Sequence, residues 1–71
     1  MESIQIYGDY IQLDQLLKKL DFISSGGETG PFLASHIVLL NHVKVHEKRK
    51  KIRPGDVVVI DEKTYTIKQE S

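Results

Sequence analysis

IVLLNHVKVHEKRKKIRPGD, from Ile37 to Asp56, is the stretch on which the fold turns. Two short apolar runs, Val38-Leu39-Leu40 and Val43-Lys44-Val45, flank Asn41-His42, so the backbone is expected to reverse there as a hairpin. Asparagine tolerates positive φ, and His42 stands where glycine is the commoner choice. On the second strand, Lys44 and His46 should share one face, with Val43 and Val45 on the other. Lys48-Arg49-Lys50-Lys51 follows as the one dense charge cluster. Pro54-Gly55 then suits the central positions of a type II turn. The chain next enters Val57-Val58-Val59-Ile60, a continuous apolar run expected to form a buried strand. A basic segment between a hairpin and a Pro-Gly turn is held by structure and is not a loose tail.

Outward from this stretch the pattern changes period. Ser3 to Tyr7 alternates polar and apolar residues, a short strand signal broken by Gly8-Asp9. Leu13, Leu16, Leu17 and Leu20 recur at helical spacing and predict one amphipathic helix. Asp14 in its first turn and Lys18-Lys19 in its last both complement the helix dipole. Ser25 and Glu28 have the spacing of a capping box, but that start places Pro31 inside the helix. The cleaner reading caps with Thr29 or Gly30 and runs a short second helix from about Pro31 to His36. Asp61-Glu62-Lys63 is a turn, and Thr64 to Lys68 alternates as a last strand with Tyr65 and Ile67 inward. The expected core is Leu16, Leu17, Leu20, Phe32, Leu33, Val57, Val59 and Tyr65.

With 71 residues the chain is expected to form one domain, residues 1–71, with a small core. A deep catalytic cleft is hard to build at this size, and binding through an exposed face is the natural use. The sequence has no cysteine, which removes disulfide and thiolate chemistry and fits a reducing compartment. No apolar run approaches the roughly 20 residues needed to cross a bilayer. The opening residues are unlike a secretory signal, so the expected location is the cytoplasm, with no membrane partner.

Formal net charge is zero, yet the distribution is one-sided. Residues 44 to 53 hold Lys44, Lys48, Arg49, Lys50, Lys51 and Arg53 against Glu47 alone, a local charge of +5 that leaves −5 for the rest. Local field steers a polyanion better than net charge does. A solvated loop that keeps a small protein soluble is the plain alternative.

Other chemistries find little support. His36, His42 and His46 suggest a metal, but strand positions four apart lie about 13 Å from each other, too far to share one ion. Ser25, His36 and Asp56 can be drawn as a triad only on paper, since nothing around them forms a nucleophile elbow. Ser24 to Pro31 is not a Walker loop, for no Gly-Lys-Ser/Thr follows. Its glycines can still meet an RNA phosphate at a helix start. We therefore expect no enzyme, no cofactor, no metal and no small-molecule substrate. What remains is a set of cations placed to meet phosphates. Aromatic residues are few, three Tyr and two Phe, and none lies inside the cluster. Backbone recognition of a folded RNA is better supported than reading of unstacked bases.

Leu13-x-x-Leu16-Leu17-Lys18, Ser25-Gly26-Gly27-Glu28, Val38-x-x-Asn41 and a basic run into Lys51-Ile52-x-Pro54-Gly55-Asp56-Val57 come in a telling order. Together they resemble the alpha-L RNA-binding domain of the ribosomal small-subunit protein four type, the S-four domain, and in particular its short stand-alone bacterial members. The resemblance is strongest over residues 11–60. It implies an α+β fold, with two short helices packed on a small, mostly antiparallel sheet. It also implies a non-enzymatic module that binds structured RNA, ribosomal RNA or a ribosomal particle, with a role in ribosome assembly. The alternative is a protein-interaction module on the ribosome or another assembly without direct RNA contact. A ubiquitin-like carrier is set aside, because the sequence closes on Gln69-Glu70-Ser71 and not Gly-Gly. The RNA-binding set expected is Ser25, Gly26, Gly27, Lys44, Lys48, Arg49, Lys50, Lys51 and Arg53. Two departures from the family pattern stand out. Thr29-Gly30-Pro31 replaces an Ala-Lys or Ala-Arg step, which removes a helix-borne cation. His42 replaces the hairpin glycine.

Overall fold

The computed structural model describes residues 1–70. Seven strands and two helices follow in the order β1 (Glu2–Ile6), β2 (Ile11–Gln12), α1 (Leu13–Lys19), α2 (Thr29–Ser35), β3 (Val38–Leu40), β4 (Val43–Lys44), β5 (Lys51–Ile52), β6 (Val57–Ile60) and β7 (Lys63–Gln69). Five strands form one sheet in the order β1-β7-β6-β3-β4. β1 and β7 are parallel, and the other neighbours are antiparallel. β2 and β5 make a separate two-stranded antiparallel pair. The α+β architecture inferred from the sequence is the one observed.

One face of the large sheet packs on the helices. Ile4, Ile6, Val38, Val58, Ile60, Tyr65 and Ile67 point inward to meet Leu13, Leu16, Leu17 and Phe32. The leucine stripe of α1 is fully buried at Leu13, Leu16 and Leu17. Leu20 and Leu33 are half-buried at the rim of this core, so both are less enclosed than the periodicity implied.

Strand β6 corrects the sequence reading. Val58 and Ile60 are the inward residues, while Val57 and Val59 lie half-buried on the opposite face. A continuous apolar run carries no period-two mark, so its register is set by its partners. Ile60 pairs with Val38, and Val58 pairs with Tyr65, both of them inward residues. The β4 expectation also changes. That strand ends at Lys44, so Val43 is exposed while Val45 is buried.

Two tight hairpins lack glycine. Asn41 and His42 have φ of 49° and 73°, and Asp61 and Glu62 have φ of 48° and 75°. Two successive left-handed residues are the mark of the type I′ turn, whose twist matches that of paired strands. Gly55 at φ 95° meets the type II turn requirement at Pro54-Gly55.

Helix α2 begins earlier than the proline argument suggested. A 3₁₀ turn over Gly26–Glu28 leads directly into Thr29. The Ser25–Glu28 spacing does cap this entry. The Glu28 carboxylate accepts from the amides of Ser24 and Ser25, each at 2.8 Å. Pro31 sits in the first turn of α2, where a missing N–H matters little.

Candidate nucleic-acid interface

The basic segment is fixed by its backbone. The first amides of a helix lack intrahelical partners. In α1 two of them are met by this segment: Leu13 N donates to Lys50 O at 2.9 Å and Asp14 N to Lys48 O at 3.1 Å. Ile11 and Gln12 pair with Ile52 and Lys51, and Ile52 is buried. The cations therefore ride on a loop stitched to the start of α1, which the sequence did not reveal.

A second stitch ties the hairpin to the Pro-Gly turn. Asn41 Oδ1 accepts from Val57 N at 2.9 Å, and Asn41 Nδ2 donates to Asp56 Oδ1 at 3.1 Å. The other Asp56 oxygen accepts from Arg53 N at 2.8 Å. Asn41 and Asp56 thus orient the Arg53 backbone. Sequence reasoning placed Asn41 in the hairpin turn and foresaw no bond between Asn41 and Asp56.

Lys44, Lys48, Arg49, Lys51 and Arg53 are exposed, and Lys50 is half-buried. Arg49, Lys50, Lys51 and Arg53 line one groove with Asn41, Glu47 and Asp56, and a neighbouring depression carries Lys44, His46 and Glu47. None of the six cations has a carboxylate partner within 4.0 Å among the described residues; the His36 ring is hydrogen-bonded to the Asp61 carboxylate. That imidazole also stacks on Phe32, with ring centroids 4.1 Å apart. His36 thereby fastens the end of α2 to the β6–β7 turn, away from the basic loop. His42 and His46 are exposed near the loop. No group of three His, Cys, Asp or Glu side chains that can hold a metal occurs among the described residues.

Ser25, Gly26 and Gly27 are exposed at the entry to α2. The Ser25 amide is already taken by Glu28. A side chain at Gly26 would stand near the carboxylate of Asp14. Two carboxylates, Asp14 and Glu28, thus stand at this corner, where no cation of its own offsets them. Lys48 reaches across to the same helix: a Cβ at Gly30 would lie 3.0 Å from Lys48 Cε and 3.3 Å from its Nζ. The cation missing from the helix at position 30 is replaced in space by one from the loop.

Two comparisons with known proteins bear on the chain as a whole. The family profile described as the S4 domain matches residues 4–68. The chain is also similar to the probable ribosome maturation protein RlbA of Bacillus subtilis (strain 168), 41% identical over 58 residues that cover 82% of each chain. No helix among the described residues is long and apolar enough to cross a membrane.

Proposed function

This chain belongs to the S4 domain family, and from that premise we propose that it is a small non-enzymatic protein that binds structured RNA through its basic loop. One observation carries the reading: a loop from Lys48 to Arg53 whose backbone is bonded to α1 and to the Asn41–Asp56 pair, with none of its cations, nor Lys44 beside it, within 4.0 Å of a carboxylate among the described residues. Cations without carboxylate partners are available to phosphates, and a fixed loop loses little entropy on binding. Lys44, Lys48, Arg49, Lys50, Lys51 and Arg53 form the contact set, with Ser25, Gly26 and Gly27 at its margin. The name of the similar Bacillus subtilis protein supports a ribosomal RNA or ribosomal particle as the target and maturation of that particle as the role, with the bacterial cytoplasm as the setting we infer.

Salt dependence tests this reading. If the loop neutralises about three to five phosphates, log affinity for a ribosomal RNA fragment should fall against log salt with a slope of roughly −2 to −4. Replacing Lys50 and Lys51 with Ala should make the slope shallower by about one to two units. Exposed sites of this kind change stability by about 0.5 kcal/mol or less, so the fold should persist. A double variant that binds as the parent does at every salt concentration would overturn the reading in favour of a protein-docking module.

A further inference from the structure

Five aromatic side chains divide into two groups. Phe22, Phe32 and Tyr65 pack together, with Phe22 edge-on to Phe32 at 5.6 Å and to Tyr65 at 6.5 Å between centroids. Tyr7 and Tyr10 are left outside, 78% and 42% exposed. Both lie in the short connection between β1 and β2, and both line one depression with Gln15 and Lys19. Two exposed rings that line one depression make a surface that a flat ligand can cover.

The connection is held firmly. Glu70 N donates to Ile6 O at 2.8 Å and Gln69 Nε2 to Gly8 O at 2.9 Å, which fixes the backbone on both sides of Tyr7. Tyr10 precedes β2, whose partner β5 carries Lys51. The Lys51 ammonium sits 4.9 Å from the centre of the Tyr10 ring, within cation–π range. The structure therefore brings an aromatic to the edge of the basic loop, which the linear sequence kept 41 positions away from Lys51.

We propose that Tyr7 and Tyr10, flanked by Lys19, Lys51 and Gln15, form a stacking subsite for one or two unpaired nucleotides at the edge of the basic face. The proposal rests on the reading of that face as an RNA interface. A nucleobase offers a flat π surface to a tyrosine ring, and its phosphate is drawn to the two ammonium groups. Gln15 is exposed; its Oε1 accepts from Gln12 N at 3.3 Å, which leaves the side-chain NH2 to donate to a base edge or a 2′-hydroxyl. Stacking of this kind tolerates any base, so the subsite selects for unpaired geometry and not for sequence. The basic loop then supplies affinity for the folded RNA, and the tyrosines favour RNA that carries a bulge or loop beside the helix.

Two RNA hairpins test this, one fully paired in its stem and one with a single bulged adenine, both closed by a non-nucleotide linker so that the bulge is the one unpaired base, measured by anisotropy at fixed salt. Tyr7→Ala and Tyr10→Ala should each weaken binding of the bulged hairpin by about ten- to a hundredfold and leave the paired stem unchanged. Tyr7→Phe and Tyr10→Phe keep the ring face and should bind as the parent does. The chain has no tryptophan, so its tyrosine emission can be followed directly. Emission should fall when the bulged hairpin binds the parent, and fall less in Tyr7→Ala. Equal binding of the bulged hairpin by the alanine variants and the parent would overturn the subsite while leaving the basic loop intact. So would an equal loss on both hairpins. A parent that binds neither hairpin would overturn the RNA reading itself, and the subsite with it.

Discussion

The side chain of Lys48 lies over the Cα of Gly30, in space that any larger residue at position 30 would claim. Loop and helix share that volume, and the glycine lets a loop cation stand against the first turn of α2. The main chain of Lys48 is meanwhile bonded to Asp14 at the start of α1. One residue thus links the starts of both helices to the basic face.

Gly30→Ala should separate stability from binding. Alanine is favoured over glycine in a helix by about 0.8–1.0 kcal/mol. The clashing atoms are the flexible end of a lysine, which can swing away at little cost. The expected outcome is an unchanged or slightly higher Tm with weaker RNA affinity, since the Lys48 ammonium is displaced. Lys48→Ala should weaken affinity too and leave Tm nearly unchanged. A marked fall in Tm for Gly30→Ala would show that Lys48 cannot move.

Asn41 and His42 should respond in opposite directions. His42 holds φ at 73° with no hydrogen bond of its side chain to support it among the described residues. A left-handed residue with a Cβ costs roughly 1–2 kcal/mol, which glycine avoids. His42→Gly should therefore raise stability by about 1 kcal/mol. Asn41→Ala removes both side-chain bonds that tie the hairpin to Asp56 and Val57. It should cost about 1–3 kcal/mol and loosen the Arg53 turn. Chemical denaturation of the two variants measures both signs.

Much of the fold was legible because local chemistry and tertiary structure agree. The leucines of α1 have a period, Pro54-Gly55 has a turn type, and Asn41-His42 separates two apolar runs. The basic loop could be located because its cations are contiguous. Its anchoring could not, because the bonds run from backbone carbonyls of Lys48 and Lys50, and carbonyls leave no trace in side-chain identity. The β2–β5 pair was missed for a related reason: two residues are too few to show alternation. Tyr10 and Lys51 meet only because that pair forms. Ser25 and Glu28 did signal a cap, and the proline objection misled because a 3₁₀ turn intervenes before α2.

The register of β6 is the sharpest case, and it can be checked. Val58 is fully buried, while its neighbour Val59 is partly open on the other face. Valine and threonine have the same shape, so the exchange isolates a hydroxyl. Val58→Thr should cost about 1–3 kcal/mol by burying an unpaired polar group. Val59→Thr should cost far less, since its hydroxyl can reach water beside Thr64, its neighbour across the strand pair. Equal losses at the two positions would contradict the observed register.

Thr29 allows the same exchange in reverse. It opens α2, is fully buried, and its Oγ1 has no hydrogen-bond partner among the described residues. Leaving such a group unpaired costs roughly 1–3 kcal/mol, whereas an apolar group of the same shape carries no such penalty. Thr29→Val keeps the β-branch and the volume, so packing against neighbouring side chains should persist. Thr29→Ala removes volume as well and should lose stability through the space it opens. The expected order in Tm is valine at or above threonine, with alanine lowest. RNA affinity should be the same in the valine variant, because a buried hydroxyl on the core side of α2 meets no ligand. A drop in Tm for Thr29→Val would mean that the hydroxyl is bonded in solution.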